Sequence, residues 1–140
     1  MIFVDASAWY ARLNDNDEHH AAALAAWPAL CAQRMCTSSH VLYETAEAIC
    51  RGAPPAYAAA AIGRLLVTRN LTILRPTPTE EQLALDLLVS LTRGSSGKGR
   101  RLGYRDCLSF AVMKTHGVRQ AFSVVGHFTL AGFTPWSRPA

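Results

Sequence analysis

Asp5 closes the apolar run Ile2-Phe3-Val4 and is followed by Ala6 and Ser7. A short apolar run ending in a polar residue reads as a buried strand followed by a turn. A carboxylate placed there is costly to desolvate unless it has a partner, so Asp5 is the first residue to demand a chemical role. Three strand-based chemistries begin this way, and each is disfavoured. A haloacid-dehalogenase-type phosphatase needs a second Asp two positions on, where this chain has Ser7. A response-regulator receiver needs an adjacent acidic pair before the strand's Asp, and only Met1-Ile2-Phe3-Val4 precedes Asp5. A dinucleotide fold needs G-x-G-x-x-G after its first strand, and Asp5-Ala6-Ser7 holds no glycine. What remains is a metal-dependent nuclease, whose acids come from separate elements and meet only in the fold. Hard cations such as Mg²⁺ or Mn²⁺ prefer oxygen ligands and keep several waters. Such an ion lowers the pKa of a bound water and stabilises the charged transition state of phosphate cleavage.

The elements that must position such acids are legible. Ile2–Val4 is the first strand and residues 6–13 a short helix. Asn14-Asp15-Asn16-Asp17 is a polar turn, and residues 18–30 form an Ala-rich helix whose end Pro28 should fray. Met35-Cys36-Thr37 is a second strand. Ser38 and Ser39 are suited to cap the helix that follows, which runs to Arg51 with Leu42, Thr45, Ala46 and Ile49 as its inward stripe and Glu47 on the solvent face. Gly52-Ala53-Pro54-Pro55 ends it, and residues 56–68 make another amphipathic helix. Leu71–Leu74 is a third strand. A helix beginning at Thr79 carries Glu80 and Glu81 in its first turn, where the helix dipole favours them. After the loop Gly94-Ser95-Ser96-Gly97-Lys98-Gly99, a helix spans about 104–116 and stops at Gly117. Residues 121–125 are the last strand, and a short turn or helix ends at Gly132. Strands alternating with helices imply right-handed crossovers and a parallel sheet covered on both faces. Function gathers at the carboxyl ends of such strands. Asp5, the residues just after Thr37 and those after Ser123 are therefore expected in one crevice.

At 140 residues the chain is long enough for one domain and too short for two, so residues 1–140 are read as a single unit. No apolar stretch is long enough to span a bilayer, and the start lacks the basic region of a signal peptide; no membrane contact and a cytoplasmic location are expected. Cys31, Cys36, Cys50 and Cys107 form no C-x-x-C pair, which argues against zinc and reads as small core hydrophobes. The 14 Lys and Arg residues outnumber 10 Asp and Glu. Asp106 is the last acid, so the C-terminal part is electropositive, which suits a polyanion as well as a plain solvated surface.

Four segments together resemble one family. MIFVDASAWYA resembles the N-terminal signature of PIN domains, VLYETAEAI their second-acid helix, YRDCLSFAVMKTHGV their third-acid helix, and AFSVVGHFTLAGF their closing strand and turn. In order and spacing the chain is similar to PIN-domain ribonucleases of the VapC toxin type. The resemblance implies a three-layer α/β/α domain around a central parallel sheet. It also implies an Mg²⁺- or Mn²⁺-dependent endoribonuclease, held in check by a cognate antitoxin and forming a homodimer. It places Asp5, Glu44 and Asp106 in the catalytic set, with Asp5 and Asp106 as metal ligands and Ser7 as the accompanying hydroxyl. Ser7, Ser123, Arg100, Arg101 and Arg105 are expected at the RNA, the arginines gripping phosphates.

One position departs from the family. The pattern places a fourth acid two residues after Ser123 and two before His127-Phe128, and this chain has Val125 there. Loss of that acid implies weakened cleavage. The alternative is a catalytically impaired PIN domain that works mainly by binding antitoxin or RNA. Other polar residues carry plainer expectations. His19-His20 point about 100° apart on a helix and cannot chelate together. His116 suits a helix C-terminus, and His40 stands at i, i+4 from Glu44 and could pair with it. Trp9, Tyr10 and Trp27 are either core or part of a groove for the antitoxin.

Overall fold

The computed structural model describes residues 1–93 and 102–140. Arg100, Arg101 and the Gly/Ser loop at 94–99 lie outside the described residues. Among the described residues, β1 (Ile2–Val4), β2 (Met35–Ser38), β3 (Leu71–Leu74), β4 (Gln120–Phe122) and β5 (Thr134–Pro135) form one sheet in the order β3-β2-β1-β4-β5. Every pairing in it is parallel. β1 is the middle strand, and all of β1 and β2 is buried, as a sheet covered on both faces requires. The helices are α1 (Ala6–Leu13), α2 (His20–Cys31), α3 (Ser39–Cys50), α4 (Pro55–Leu66), α5 (Pro78–Thr92) and α6 (Tyr104–Thr115), with a 3-10 helix at Gly126–Ala131. No described helix is long and apolar enough to cross a membrane.

Several boundaries differ from expectation for identifiable reasons. Pro28 does not fray α2: the helix continues through it to Cys31, and Ala32 N–H closes on the Pro28 carbonyl at 3.2 Å. α2 also begins late, at His20, because Asp17 Oδ1 accepts the His19 N–H at 2.8 Å and holds the turn open. α5 begins at Pro78 rather than Thr79. Thr77 caps it by accepting the Glu80 N–H at 3.2 Å, while Glu80 accepts the Thr77 N–H at 2.8 Å. This reciprocal box satisfies two otherwise orphaned donors, and proline in the first turn has no donor to lose. β4 stops at Phe122 instead of Val125, because the Val125 N–H turns back to Ser123 Oγ at 3.2 Å rather than extending the ladder. β5 went unread: it is two residues long and contains a proline, yet Thr134 and Trp136 N–H groups bond the Arg119 and Ala121 carbonyls at 2.9 and 2.8 Å.

Trp9 belongs to the core. It is fully buried, its Nε1–H donates to Thr37 Oγ1 at 3.2 Å, and the Thr37 hydroxyl in turn donates to the Val4 carbonyl at 2.8 Å. Trp27 packs edge-on against it. Of the cysteines, Cys36 and Cys107 are buried and Cys31 is half-buried, but Cys50 is exposed; all are free thiols. Burial pushes the Cys36 thiol up to about 11, so it is inert at neutral pH. α5 and α6 are joined by Glu80, which is buried although charged. Burial alone would raise its pKa. The Thr115 hydroxyl, the Thr77 box and His116, 3.4 Å away, outweigh that and hold it below the usual carboxylate range.

Candidate active site

Asp5 sits at the N-cap of α1, just past the carboxyl end of the central strand, and is 7% exposed. Its Oδ2 accepts the Ser7 hydroxyl at 2.8 Å and lies 3.4 Å from the Ser7 N–H. Ser123, at the end of β4, places its Oγ 3.2 Å from the same oxygen and 3.0 Å from the Val125 carbonyl; its single proton serves one of them at a time. Ser7 Oγ is 3.0 Å from Ser123 Oγ and accepts the Val124 N–H at 3.2 Å. The two serines thus fasten Asp5 and stitch α1 to the end of β4. Among the described residues, every bond to the Asp5 carboxylate falls on Oδ2, which leaves Oδ1 for a ligand.

Glu44 comes from the second turn of α3 and Asp106 from the first turn of α6. Both line one pocket of about 230 Å³ with Asp5, Ser7, Tyr10 and Arg51. The structure therefore brings together the three acids read from the sequence, from three helices that start or run at the same edge of the sheet. Glu44 is 3.9 Å from Arg105 Nη1, and the Arg105 side chain is 63% exposed, so this pair is largely solvent-screened. Asp106 Oδ2 accepts the Gly103 N–H at 2.9 Å, which caps α6, and its Oδ1 lies 3.0 Å from Nε2 of His127.

His127, which the sequence offered together with Ser123 as a weak substitute for the missing fourth acid, reaches the site through Asp106. It is a buried residue of the 3-10 helix, stacked on Phe128 and tilted against Phe110. Its Nε2 meets Asp106 at ion-pair distance but off the line of a hydrogen bond, and its Nδ1 has no hydrogen-bond partner among the described residues. His40 does not take Glu44 as its partner. Its Nδ1 pairs with Ser38 Oγ at 2.7 Å and its Nε2 with Ser109 Oγ at 2.9 Å, so it ties the start of α3 to α6. Ser38 is spent in this bond and gives α3 no side-chain cap. Burial is the main influence on His40 and lowers its pKa to about 4, against the pull of Asp5; it is a neutral spacer at neutral pH. Arg51, at the end of α3, is a cation in the pocket wall that the sequence reading passed over. Val125 lines a separate depression with Ser123, Gly126 and Phe128 rather than the acidic pocket.

Among the described residues no three His, Cys, Asp or Glu side chains close into a cage for a metal. The oxygen donors lining the pocket still suit a hard cation of the Mg²⁺ kind, which uses one or two carboxylates and keeps its remaining waters. Asp5, whose Oδ1 is uncommitted among the described residues, and Asp106 across the pocket are the residues that would hold it.

The PIN-domain family model matches residues 2–124, which takes in every one of these acids. The chain belongs to the PIN-domain family. Within it, the chain is 37% identical over 135 residues to the 23S rRNA-specific endonuclease VapC20 of Mycobacterium tuberculosis, in two strains, covering 95% of both proteins. The crystal structure of Mycobacterium tuberculosis VapC20, described as a sarcin-ricin loop cleaving toxin, superposes with a TM-score of 0.80 at 30% identity, covering 96% of this chain and 97% of that one. The central parallel sheet with its helices is thus a PIN fold, and the chain is a homologue of a VapC ribonuclease toxin.

Proposed function

We propose that this chain is a divalent-cation-dependent endoribonuclease toxin that cuts structured ribosomal RNA and is silenced by a cognate antitoxin. The observation that carries the reading is the meeting of Asp5, Glu44 and Asp106 in one pocket at the carboxyl end of the central strand. The kinship with a 23S rRNA endonuclease over nearly the whole chain supports RNA as the substrate. Mg²⁺ or Mn²⁺ bound there would supply an activated water and neutralise charge on the cleaved phosphate. Asp5, fixed by Ser7 and Ser123, holds the cation's side of the site rigidly. Arg51 and Arg105 sit where phosphate oxygens would approach, offering charge-assisted hydrogen bonds. Residues 1–140 act as one domain, in the cytoplasm and as a homodimer.

A second reading has specific support. Position 125 carries no carboxylate, and Asp106 is already engaged by His127 and by its own helix cap. Both features weaken cation binding, so cleavage slower than in a four-acid relative is the expectation, and a chain acting mainly by binding is the limiting case.

The deciding experiment incubates the purified chain with total RNA, under Mg²⁺, Mn²⁺ or chelator, and maps 23S rRNA ends. Cation-dependent cuts that disappear in Asp5→Asn, at unchanged circular dichroism, sustain the reading. Cuts that persist in Asp5→Asn or in chelator refute it. Intact RNA throughout, with antitoxin or RNA still bound, favours the binding module.

A further inference from the structure

Beside the acidic pocket lies a second depression of about 290 Å³, walled by Tyr10, Leu13, Asn14, Asn16, Tyr57 and Arg64. Tyr10 lines both, so the two are continuous across one side chain. They also share α3 and the turn that ends it: Glu44 and Arg51 line the first, and Ile49 and Gly52 the second. From Ser7 along α1 to its C-cap Asn14, the seven steps of about 1.5 Å span roughly 10 Å, a reach of one to two nucleotides.

The distribution of aromatics singles this wall out. All five phenylalanines are buried, and so are Trp9 and Trp136. None of the four tyrosines is: Tyr57 is 67% exposed, Tyr43 and Tyr104 are exposed, and Tyr10 is half-buried. An exposed ring beside an asparagine pair and an arginine matches what single-stranded nucleic acid needs: a stacking face, amide hydrogen bonds to a base edge, and a cation for phosphate. Among the described residues no acid lines this second depression, although the exposed Asp15 stands between Asn14 and Asn16, and Arg51 stands in the wall of the first. Its volume is near the lower end of small-ligand sites, roughly 300–1,000 Å³. That suits a base, whereas a docked helix needs anchors over several turns.

We infer that this depression is a base-binding subsite, in which Tyr57 and Tyr10 stack a nucleobase next to the cut phosphate while Arg64 and Arg51 hold the flanking backbone. The inference rests on the ribonuclease reading and adds to it the place where single-stranded RNA is gripped.

The test measures anisotropy of a short fluorescein-labelled single-stranded RNA on the full chain in chelator, alongside cleavage of total RNA with Mn²⁺. Tyr57→Ala should weaken RNA binding about tenfold, the usual worth of one stacked base. Tyr57→Phe should bind as the wild type does. Walking one abasic position along the strand should find a site where base removal costs the wild type the same factor and costs Tyr57→Ala nothing more. Such coupling supports the subsite even if no RNA is cut, in which case only the ribonuclease reading falls. RNA affinity and cleavage left unchanged by Tyr57→Ala overturn the subsite and leave the ribonuclease reading standing. A Tyr57→Ala effect confined to the hold of an inhibiting protein segment overturns it as well. A single-stranded RNA that the wild type does not bind at all overturns the subsite, and the ribonuclease reading then stands or falls with the cleavage of total RNA.

Discussion

Acidification from pH 7 to about pH 4.5 should destabilise this chain through His40. Its ring is enclosed between the start of α3 and α6, with both nitrogens in hydrogen bonds to serines. Burial lowers its pKa from 6.5 to about 4 in spite of the carboxylates of Asp5 and Asp106 and a backbone hydrogen bond with Arg105, which favour the proton, while the Arg105 charge opposes it. The sign follows from the lowered value. At pH 7 the ring is neutral in both states, and below pH 6.5 the unfolded chain takes up a proton that the folded one refuses. Stability therefore falls with pH until the folded ring also titrates near 4. At about pH 4.5 the linkage amounts to about 2.5 kcal/mol, a large share of the roughly 5–15 kcal/mol that holds a domain. His40→Gln keeps a neutral group able to bond both serines and removes the titration. Urea denaturation of both proteins at the two pH values is the assay. The stability gap between them should move by about 2.5 kcal/mol in favour of the variant as pH drops. Parallel curves for the two proteins across this window would refute the enclosed, neutral ring.

Three further outcomes follow from other contacts. Thr115→Val removes a hydroxyl from the buried Glu80 carboxylate and should cost about 2 kcal/mol at neutral pH, seen as a lower urea midpoint. Glu80 has a lowered folded pKa, so its contribution is present above the ordinary carboxylate pKa and lost as pH falls through the folded value; the cost of Thr115→Val should shrink at low pH, and a pH-independent cost would contradict this. Val125→Asp should raise cleavage about tenfold or more if the missing fourth acid limits cation binding, read as initial rate against Mn²⁺ concentration; an unchanged rate would show that the three acids suffice. Ser123→Ala should lower cleavage more than it lowers stability, because Ser123 Oγ stands between Asp5 and the end of β4 in a partly exposed position.

Sequence reading reached the parts of this molecule that depend on neighbours along the chain. β1, α1 and β3 were legible to the residue because a polar residue, a cap or a proline bounds each apolar run. Asp5 was legible because a strand's last carboxylate has few uses. Glu44 and Asp106 came only through resemblance: taken singly, each is an acid near the start of a helix. What stayed hidden depends on contacts far apart in sequence. Nothing local to His40 announces Ser109, 69 residues on, and nothing near His127 announces Asp106. The same holds for Thr77: it outcompetes Thr79 as the cap of α5 because Pro78 fixes the first turn and Glu80 reaches back. β5 has too few residues for any periodicity to show.

The bond from Ser123 to Asp5 joins positions 118 residues apart, and the one from Ser7 to Ser123 spans 116. β1 is the first strand made, yet it waits for β4, the fourth, before its carboxylate is clamped. During synthesis, then, the acid pocket has no fixed geometry until almost the whole chain has left the ribosome. Under the proposed reading as a nuclease acting on ribosomal RNA, this ordering in time is a safeguard: the three acids are assembled only after α6 and β4 have been made.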